Sequence, residues 1–151
     1  MVLVLICLNI LCGFSATAQG EISILPVYNP SHLQIKVSAN GKCLTNDKLI
    51  YIDDKNVEIK AFSIGNDAGA ELVIPEIDVD LVRGGRLVAS EKITEEGDIS
   101  NLLKLAKGND VLRFMVNGVY IKNAFEKLEL YSAGTVNLLY SIVASSRIAM
   151  D

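Results

Sequence analysis

The amino-acid sequence predicts a mainly β protein, an immunoglobulin-like β-sandwich with one short helix. Short segments that alternate apolar and polar residues recur along the chain, and tight turn signals separate them at close intervals. Only one segment has apolar residues at helical spacing. The sequence lacks Trp, and a single cysteine follows the N-terminal leader, so the core signature of antibody domains is not expected.

Residues 1–18 have the pattern of a cleavable signal peptide. The run Val2–Phe14 is almost wholly apolar, and Ala16 and Ala18 provide the small side chains that signal peptidase requires before its cleavage point. The run is shorter than the about 20 apolar residues that cross a bilayer as a helix. We therefore expect cleavage after Ala18, one exported β-sandwich domain over residues 19–151, and no stable membrane span after the leader is removed.

The mature domain is large enough to fold without disulfides. A chain of this length buries roughly two thirds of its surface on folding. Cys43 is the only cysteine after the leader, so no intrachain disulfide can form. We interpret Cys43 as a small, partly buried core residue; a reactive thiol and an intermolecular bridge are the alternatives.

The charge pattern argues against nucleic acid as the main partner. The chain has a net charge of −4, whereas phosphate binding needs clustered positive charge. The pairs Lys36/Lys42 and Arg83/Arg86 are too sparse to form such a cluster.

Four strands are predicted in the first half of the mature chain. Leu33–Val37 alternates strictly between apolar and polar residues, as expected of a half-buried strand, and Asn40-Gly41 ends it. In the last of the four, Val57 and Ile59 share one face. The predicted strands are Ile22–Val27, Leu33–Val37, Leu49–Ile52 and Val57–Ile64.

A hairpin and a helix are predicted next. Ile77–Val82 and the strand that begins at Leu87 flank Gly84-Gly85, which suits a two-residue type I′ turn because both central residues need positive φ. Asp98 is the expected N-cap of a helix over residues 98–107, and Gly108 is expected in the left-handed C′ position. A helix this short fits a lid across one end of a sandwich.

The last strands are predicted around a second hairpin. Val111–Val116 alternates and runs into Asn117-Gly118, the strongest turn signal in the chain. Leu128 and Leu130 mark a further strand. Val136–Val143 is apolar on both faces in places, which predicts a central strand.

An acidic stripe is predicted on one sheet face. Glu76, Asp78 and Asp80 have the same parity in their strand and point the same way. They could bind a hard cation such as calcium only with further loop ligands, since neighbours on one face are about 7 Å apart. A solvated acidic face is the preferred interpretation.

Neither catalysis nor cofactor binding is predicted. His32 is the only histidine and follows Pro30 in an expected loop, so a histidine-dependent triad or a zinc site has little to build on. The spacing of the glycines matches neither the Walker motif nor the dinucleotide-binding motif of phosphate-binding loops.

Two loops are the predicted partner contacts. The turn Arg83, Gly84, Gly85, Arg86 carries two arginines, a residue type enriched in interface hot spots. Asn66 and Asp67 lie in a loop defined by its composition. Changing both arginines to Ala is expected to weaken partner capture with little change in stability.

One family pattern is carried by the segments Leu81–Ser90, Ile99–Lys107, Gly108-Asn109-Asp110 and Val119–Phe125. Through these motifs, residues 79–128 resemble the C-terminal periplasmic domains of GldM/PorM, the gliding-motility and type IX secretion proteins of Bacteroidota. Those domains are similar in having an arginine-containing hairpin, a short helix, a strand and a closing turn. Asn109 stands between the Gly and the Asp that are adjacent in the family pattern. The resemblance implies an immunoglobulin-like periplasmic interaction domain.

The leading hypothesis is therefore a non-enzymatic periplasmic module that binds another envelope protein; an accessory role in type IX secretion or gliding motility is one candidate. A location on the outer-membrane surface or outside the cell stays open, as does a homodimer. The alternative is a β-sandwich that binds carbohydrate or matrix, which predicts an exposed cluster from Tyr120, Tyr131 and Tyr140. A hydrolase would need His32 beside a carboxylate in a cleft.

Overall fold

A computed structural model of the chain describes residues 33–44, 48–64, 71–123 and 125–144. The predicted leader, the strand predicted at Ile22–Val27 and His32 lie outside them. The elements in the described residues are β1 (Leu33–Ala39), β2 (Lys42–Cys43), β3 (Leu49–Tyr51), β4 (Asn56–Ser63), β5 (Leu72–Val73), β6 (Ile77–Arg83), β7 (Arg86–Ile93), β8 (Glu96–Asp98), α1 (Ser100–Leu105), β9 (Val111–Val116), β10 (Val119–Lys122), β11 (Leu128–Ser132) and β12 (Val136–Val143).

These strands form three sheets that share one core. The largest has the order β3-β12-β9-β6-β7, a second has β2-β1-β4-β8, and a third has β11-β10-β5. Buried residues from all three sheets and from α1 join a single hydrophobic cluster. Over the described residues the fold is thus mainly β with one short helix, as predicted, and its layout is compatible with a β-sandwich; the immunoglobulin-like connectivity stays a prediction.

Alternation of side chains explains how the strands build this core. In β6, Ile77, Val79 and Leu81 are fully buried, while the residues between them point to the other face. Phe114 in β9 is also fully buried, and its ring packs edge-to-face against Tyr140 of β12 at a centroid distance of 5.7 Å. The period-two pattern in the sequence therefore marks the true core faces.

Two glycine-containing turns have positive φ at both central residues, as the sequence predicts for Gly84-Gly85; for Asn40-Gly41 it predicts only the end of a strand. Asn40 and Gly41 have φ of +47° and +76° and join β1 to β2, where Ala39 pairs with Lys42. Gly84 and Gly85 have φ of +55° and +78° between β6 and β7. Both are two-residue hairpins in which positive φ at each central position matches the twist of the strands.

The helix is shorter than predicted. It covers Ser100–Leu105 instead of residues 98–107, and Ile99 occupies the N-cap position. Asp98 still contributes, because its Oδ1 accepts the Ser100 N–H at 2.7 Å. The prediction for Gly108 is wrong: Asn109, with φ of +72°, takes the left-handed conformation. Asn tolerates that region better than other non-glycine residues.

The second predicted hairpin does not form. Asn117-Gly118 separates β9 from β10, but β9 pairs with β12 and β6, whereas β10 pairs with β11 and β5. The segment therefore carries the chain from one sheet to another. Neither residue has the positive φ of a type I′ turn. The Asn117 amide instead donates to Asp78 Oδ2 at 2.8 Å, a long-range contact that local sequence does not reveal.

The prediction for the last strand is confirmed. β12 lies between β9 and β3 in the five-stranded sheet. It runs antiparallel to β9 and parallel to β3, with Ile142 beside Ile50. No helix among the described residues is long and apolar enough to span a membrane.

Candidate functional site

The turn predicted as a partner contact stands at one end of the five-stranded sheet. Arg83 and Arg86 are opposite each other in the register of β6 and β7, and the two glycines close the hairpin between them. The glycines and Arg86 are exposed, whereas Arg83 is half-buried. The two arginines therefore have different surroundings despite their symmetrical place in the sequence.

Arg83 binds a buried carboxylate. Its Nε donates to Asp110 Oδ1 at 2.8 Å, and its Nη2 donates to Asp110 Oδ2 at 2.7 Å. The same Nη2 donates to the Leu105 carbonyl at 3.0 Å, at the end of α1. Asp110 is 1% exposed and also accepts the Lys107 N–H at 2.8 Å. This fork-to-fork pairing fixes the hairpin, the helix end and the start of β9 to one another.

The protonation of Asp110 follows from these contacts. Hydrogen bonds from Arg83 lower the pKa of Asp110 below its ordinary value of 3.8, against the opposite effect of burial, and the Lys107 N–H lowers it further. The same pair raises the pKa of Arg83. Asp110 is therefore ionised at neutral pH. Because Arg83 neutralises this carboxylate, we expect Arg83→Ala to lower the stability of the protein. Of the two arginine substitutions, only Arg86→Ala is expected to change stability little.

Arg86 begins an exposed apolar edge. It has no carboxylate within ion-pair distance among the described residues. The next two residues, Leu87 and Val88, are 60% and 40% exposed. Leu81 pairs with Ala89 and Val82 pairs with Leu87, so Val88 is the extra residue of a β-bulge. We call Arg86, Leu87 and Val88 the β7 edge patch.

The remaining predicted contact residues cannot be placed beside this patch. Asn66 and Asp67 lie outside the described residues. Sequence reasoning missed the roles of Asp110 and Leu105, which contact Arg83 from the chain after the helix. A signal for Asp110 existed, since an acidic residue follows the helix shortly after two lysines, but nothing in the sequence pairs it with Arg83.

The acidic stripe is not a solvated face throughout. Asp80 is 3% exposed, and Arg113 Nη2 donates to its Oδ2 at 2.5 Å. Burial raises the pKa of Asp80, but hydrogen bonds from Arg113 and Ser90 outweigh it, so the pKa lies below its ordinary value of 3.8. The prediction for Asp80 is wrong because Arg113 of β9 is its cross-strand neighbour. Across a sheet, opposite charges attract.

The other two carboxylates of the stripe also have partners. Lys92 Nζ lies 2.5 Å from Glu76 Oε1 and 3.7 Å from Asp78 Oδ1. Asp78 additionally accepts from Asn117. Within the described residues, no group of three His, Cys, Asp or Glu side chains is arranged to hold a metal ion.

Cys43 and the tyrosines are placed differently from expectation. Cys43 is exposed on the short edge strand β2, not partly buried in the core. The reason is its place in the hairpin after Asn40-Gly41, which puts it at the margin of the sheet. Tyr131 and Tyr140 are 7% and 6% exposed, and only Tyr120 is half-buried. These three rings therefore do not form an exposed cluster.

A second exposed apolar surface lies at the turn before β11. The Asn123 Oδ1 accepts the N–H groups of Phe125 at 2.9 Å and Lys127 at 3.0 Å. This turn displays Phe125, which is 83% exposed, and β11 after it displays Leu128 and Leu130, which are 47% and 55% exposed. Sequence reasoning did not single out this surface.

Comparison with known proteins adds no relative. No family model matches the chain, and neither a curated protein nor a solved structure matches it.

Proposed function

We propose that the chain is a non-enzymatic, exported β module that binds another protein of the cell envelope, and that the β7 edge patch is part of its contact surface. The observation that carries this proposal is two adjacent exposed apolar residues, Leu87 and Val88, on an edge strand beside an arginine. Single exposed apolar residues are ordinary on protein surfaces, whereas contiguous ones on a strand edge indicate a binding site or a risk of aggregation.

The composition of the patch fits a protein partner. Apolar side chains lose water-exposed area on binding, and arginine is enriched at interfaces because its flat guanidinium makes both stacking and hydrogen-bonding contacts. The hydrogen bonds between Arg83 and Asp110 hold the hairpin in place, so the β7 edge patch begins at a turn of fixed conformation. A preorganised surface loses less conformational entropy on binding.

The sequence supports the location and the kind of partner. Residues 1–18 have the pattern of a signal peptide, which directs the chain out of the cytoplasm. The resemblance of residues 79–128 to GldM/PorM domains covers the hairpin that carries the patch. We therefore propose a periplasmic role as an accessory of gliding motility or type IX secretion.

The test is partner capture in native cells. The full-length chain with a C-terminal tag is expressed so that the leader is processed, crosslinked in the envelope, and purified for mass spectrometry. Leu87→Ser is compared with Leu139→Ser, a matched control because Leu139 is 53% exposed on β12 of the same sheet. We expect the wild type and Leu139→Ser to capture the same envelope proteins, and Leu87→Ser to lose them.

Two outcomes would overturn the proposal. Capture of only the chain itself, or of glycans, would contradict an envelope protein partner. Equal capture by Leu87→Ser and Leu139→Ser would remove the β7 edge patch from the contact. Recovery of secretion or gliding subunits by the wild type would support the accessory role.

A further inference from the structure

We infer that the partner contributes an extended segment, apolar with an acidic residue, that adds as a sixth strand beside β7. This inference rests on the proposed function and specifies the partner's chemistry. Strand addition at an open sheet edge is a recurrent way to bind a peptide, in which backbone hydrogen bonds give affinity and side chains give specificity.

The length of β7 singles it out among the sheet edges. β7 has 8 residues and pairs only with β6 among the described strands. The other edge strands are shorter: β11 has 5 residues, β3 and β8 have 3 each, and β2 and β5 have 2 each. Proteins commonly protect sheet edges by keeping them short. Among the described strands, β7 is the longest one that forms a sheet edge along its whole length.

The backbone of β7 offers its groups at defined residues. In an antiparallel ladder, alternate residues direct their N–H and C=O to the neighbouring strand. Arg86 closes the type I′ turn, so its backbone N–H and C=O point to β6. Beyond the bulge, the residues whose backbone groups point to β6 are Ala89, Glu91 and Ile93, which pair with Leu81, Val79 and Ile77. Ser90 and Lys92 therefore direct their backbone groups away from β6, towards an added strand.

Charge decides the chemistry of the segment. Although the chain has a net charge of −4, the end of the sheet at the turn is locally basic. Arg86 and Lys107 are exposed there, and the carboxylate of Asp110 already forms an ion pair with Arg83. A partner residue opposite Arg86 is favoured if it is acidic, since opposite charges across strands attract. Residues that contact Leu87 and Val88 are favoured if they are apolar.

The first experiment removes one backbone donor. Ser90→Pro deletes the outward N–H of residue 90, and proline is tolerated in an edge strand when that N–H faces solvent. Ser90→Ala is the matched control, because both substitutions remove the hydroxyl that hydrogen bonds to Asp80 but only proline removes the N–H. In the crosslinking capture, we expect Ser90→Ala to retain the partner and Ser90→Pro to lose it at least about tenfold.

The second experiment uses synthetic peptides and does not depend on the proline variant. The probe is a blocked eight-residue peptide that alternates valine with threonine and carries glutamate near each end, so that either orientation brings a glutamate near Arg86. Its control has lysine at both glutamate positions. Binding is followed through the amide N–H signals of the ¹⁵N-labelled protein. An exposed charge pair contributes a small but measurable preference.

We expect the glutamate peptide to shift the signals of Ser90 and Lys92 and to bind about fivefold more tightly than the lysine peptide. Arg86→Glu should reverse that preference. Equal binding of the two peptides would overturn the acidic residue of the segment, and no binding, or shifts confined to other strands, would overturn strand addition. If Leu87→Ser loses capture while Ser90→Pro keeps it, strand addition is wrong and the proposed function stands. If Leu87→Ser keeps capture, the proposed contact itself is wrong.

Discussion

Removal of the charge on Asp110 is the sharpest test of how the turn is held. In Asp110→Asn the side chain keeps its shape, but one of its two acceptor oxygens becomes an NH₂ donor. In place of Oδ1 that donor would face the Arg83 Nε–H, and in place of Oδ2 it would face both the Arg83 Nη2 and the Lys107 N–H, all of which are donors themselves. The variant thus replaces at least one attractive contact to Arg83 with a mismatch between two donors, in a place that is 1% exposed.

The magnitude follows from the contacts. A hydrogen bond to a charged group stabilises a protein by about 1.5–3 kcal/mol. Arg83 has 39% of its side chain exposed and is therefore partly rehydrated in the variant, which places the expected loss for Asp110→Asn at about 2–3 kcal/mol. With a urea dependence of about 2 kcal/mol per molar, the unfolding midpoint should fall by about 1–1.5 M.

The assay is urea unfolding followed by tyrosine fluorescence and circular dichroism, repeated as a function of pH. The folded-state pKa of Asp110 is below 3.8, so its contribution is present above that pH and is lost as the pH falls through the folded pKa. The difference between wild type and Asp110→Asn should therefore shrink below pH 3.8. Asp53→Asn, at an exposed carboxylate, is the control and should change the midpoint little.

The opposite result would refute the structural role of Asp110. If Asp110→Asn unfolds at the same urea concentration as the wild type at pH 7, the carboxylate is not held by Arg83. If the difference is independent of pH down to the acid transition, the stabilisation does not come from the charge.

The remaining predictions concern the turns and the core. Gly85→Ala should lower the free energy of unfolding by about 1–2 kcal/mol because Gly85 has positive φ. Gly134→Ala should leave it unchanged, since Gly134 has open space around it and no positive φ. The urea midpoints of the two variants test this difference. Gly97→Ala should destabilise by about 1–3 kcal/mol, since its Cβ would lie 2.6 Å from Ile93 Cβ; a normal thermal midpoint would contradict the close approach. Phe114→Ala should lose about 3–5 kcal/mol in the same urea assay, and a loss under 1 kcal/mol would contradict full burial.

Local signals in the sequence predicted the elements that depend on local rules. Strand alternation placed Ile77, Val79 and Leu81 on the core face, and the Gly-Gly pair predicted the backbone of the turn between β6 and β7. Both follow from steric preferences of residues close in sequence. The mainly β fold could be predicted for that reason.

Long-range pairing decided where prediction failed. Asn117-Gly118 has the composition of a hairpin turn, but the strands on either side belong to different sheets, and the Asn117 amide bonds to Asp78. Asp80 was expected in solvent because the sequence does not show that β9 places Arg113 beside it. Register between distant strands has no local signature.

The candidate site was predictable in part. The Arg83–Arg86 turn could be found from composition, but the sequence treats its two arginines alike. Only the three-dimensional contact with Asp110 distinguishes Arg83, which holds the turn, from Arg86, which is exposed.

The measurement that tests the central claim most directly is the amount of envelope protein crosslinked to the wild type, Leu87→Ser and Leu139→Ser, quantified by mass spectrometry. If the β7 edge patch binds the partner, Leu87→Ser should recover about tenfold less, because a central apolar contact contributes more than 1 kcal/mol. Leu139→Ser should match the wild type. Equal recovery from all three chains would contradict an interaction through this edge.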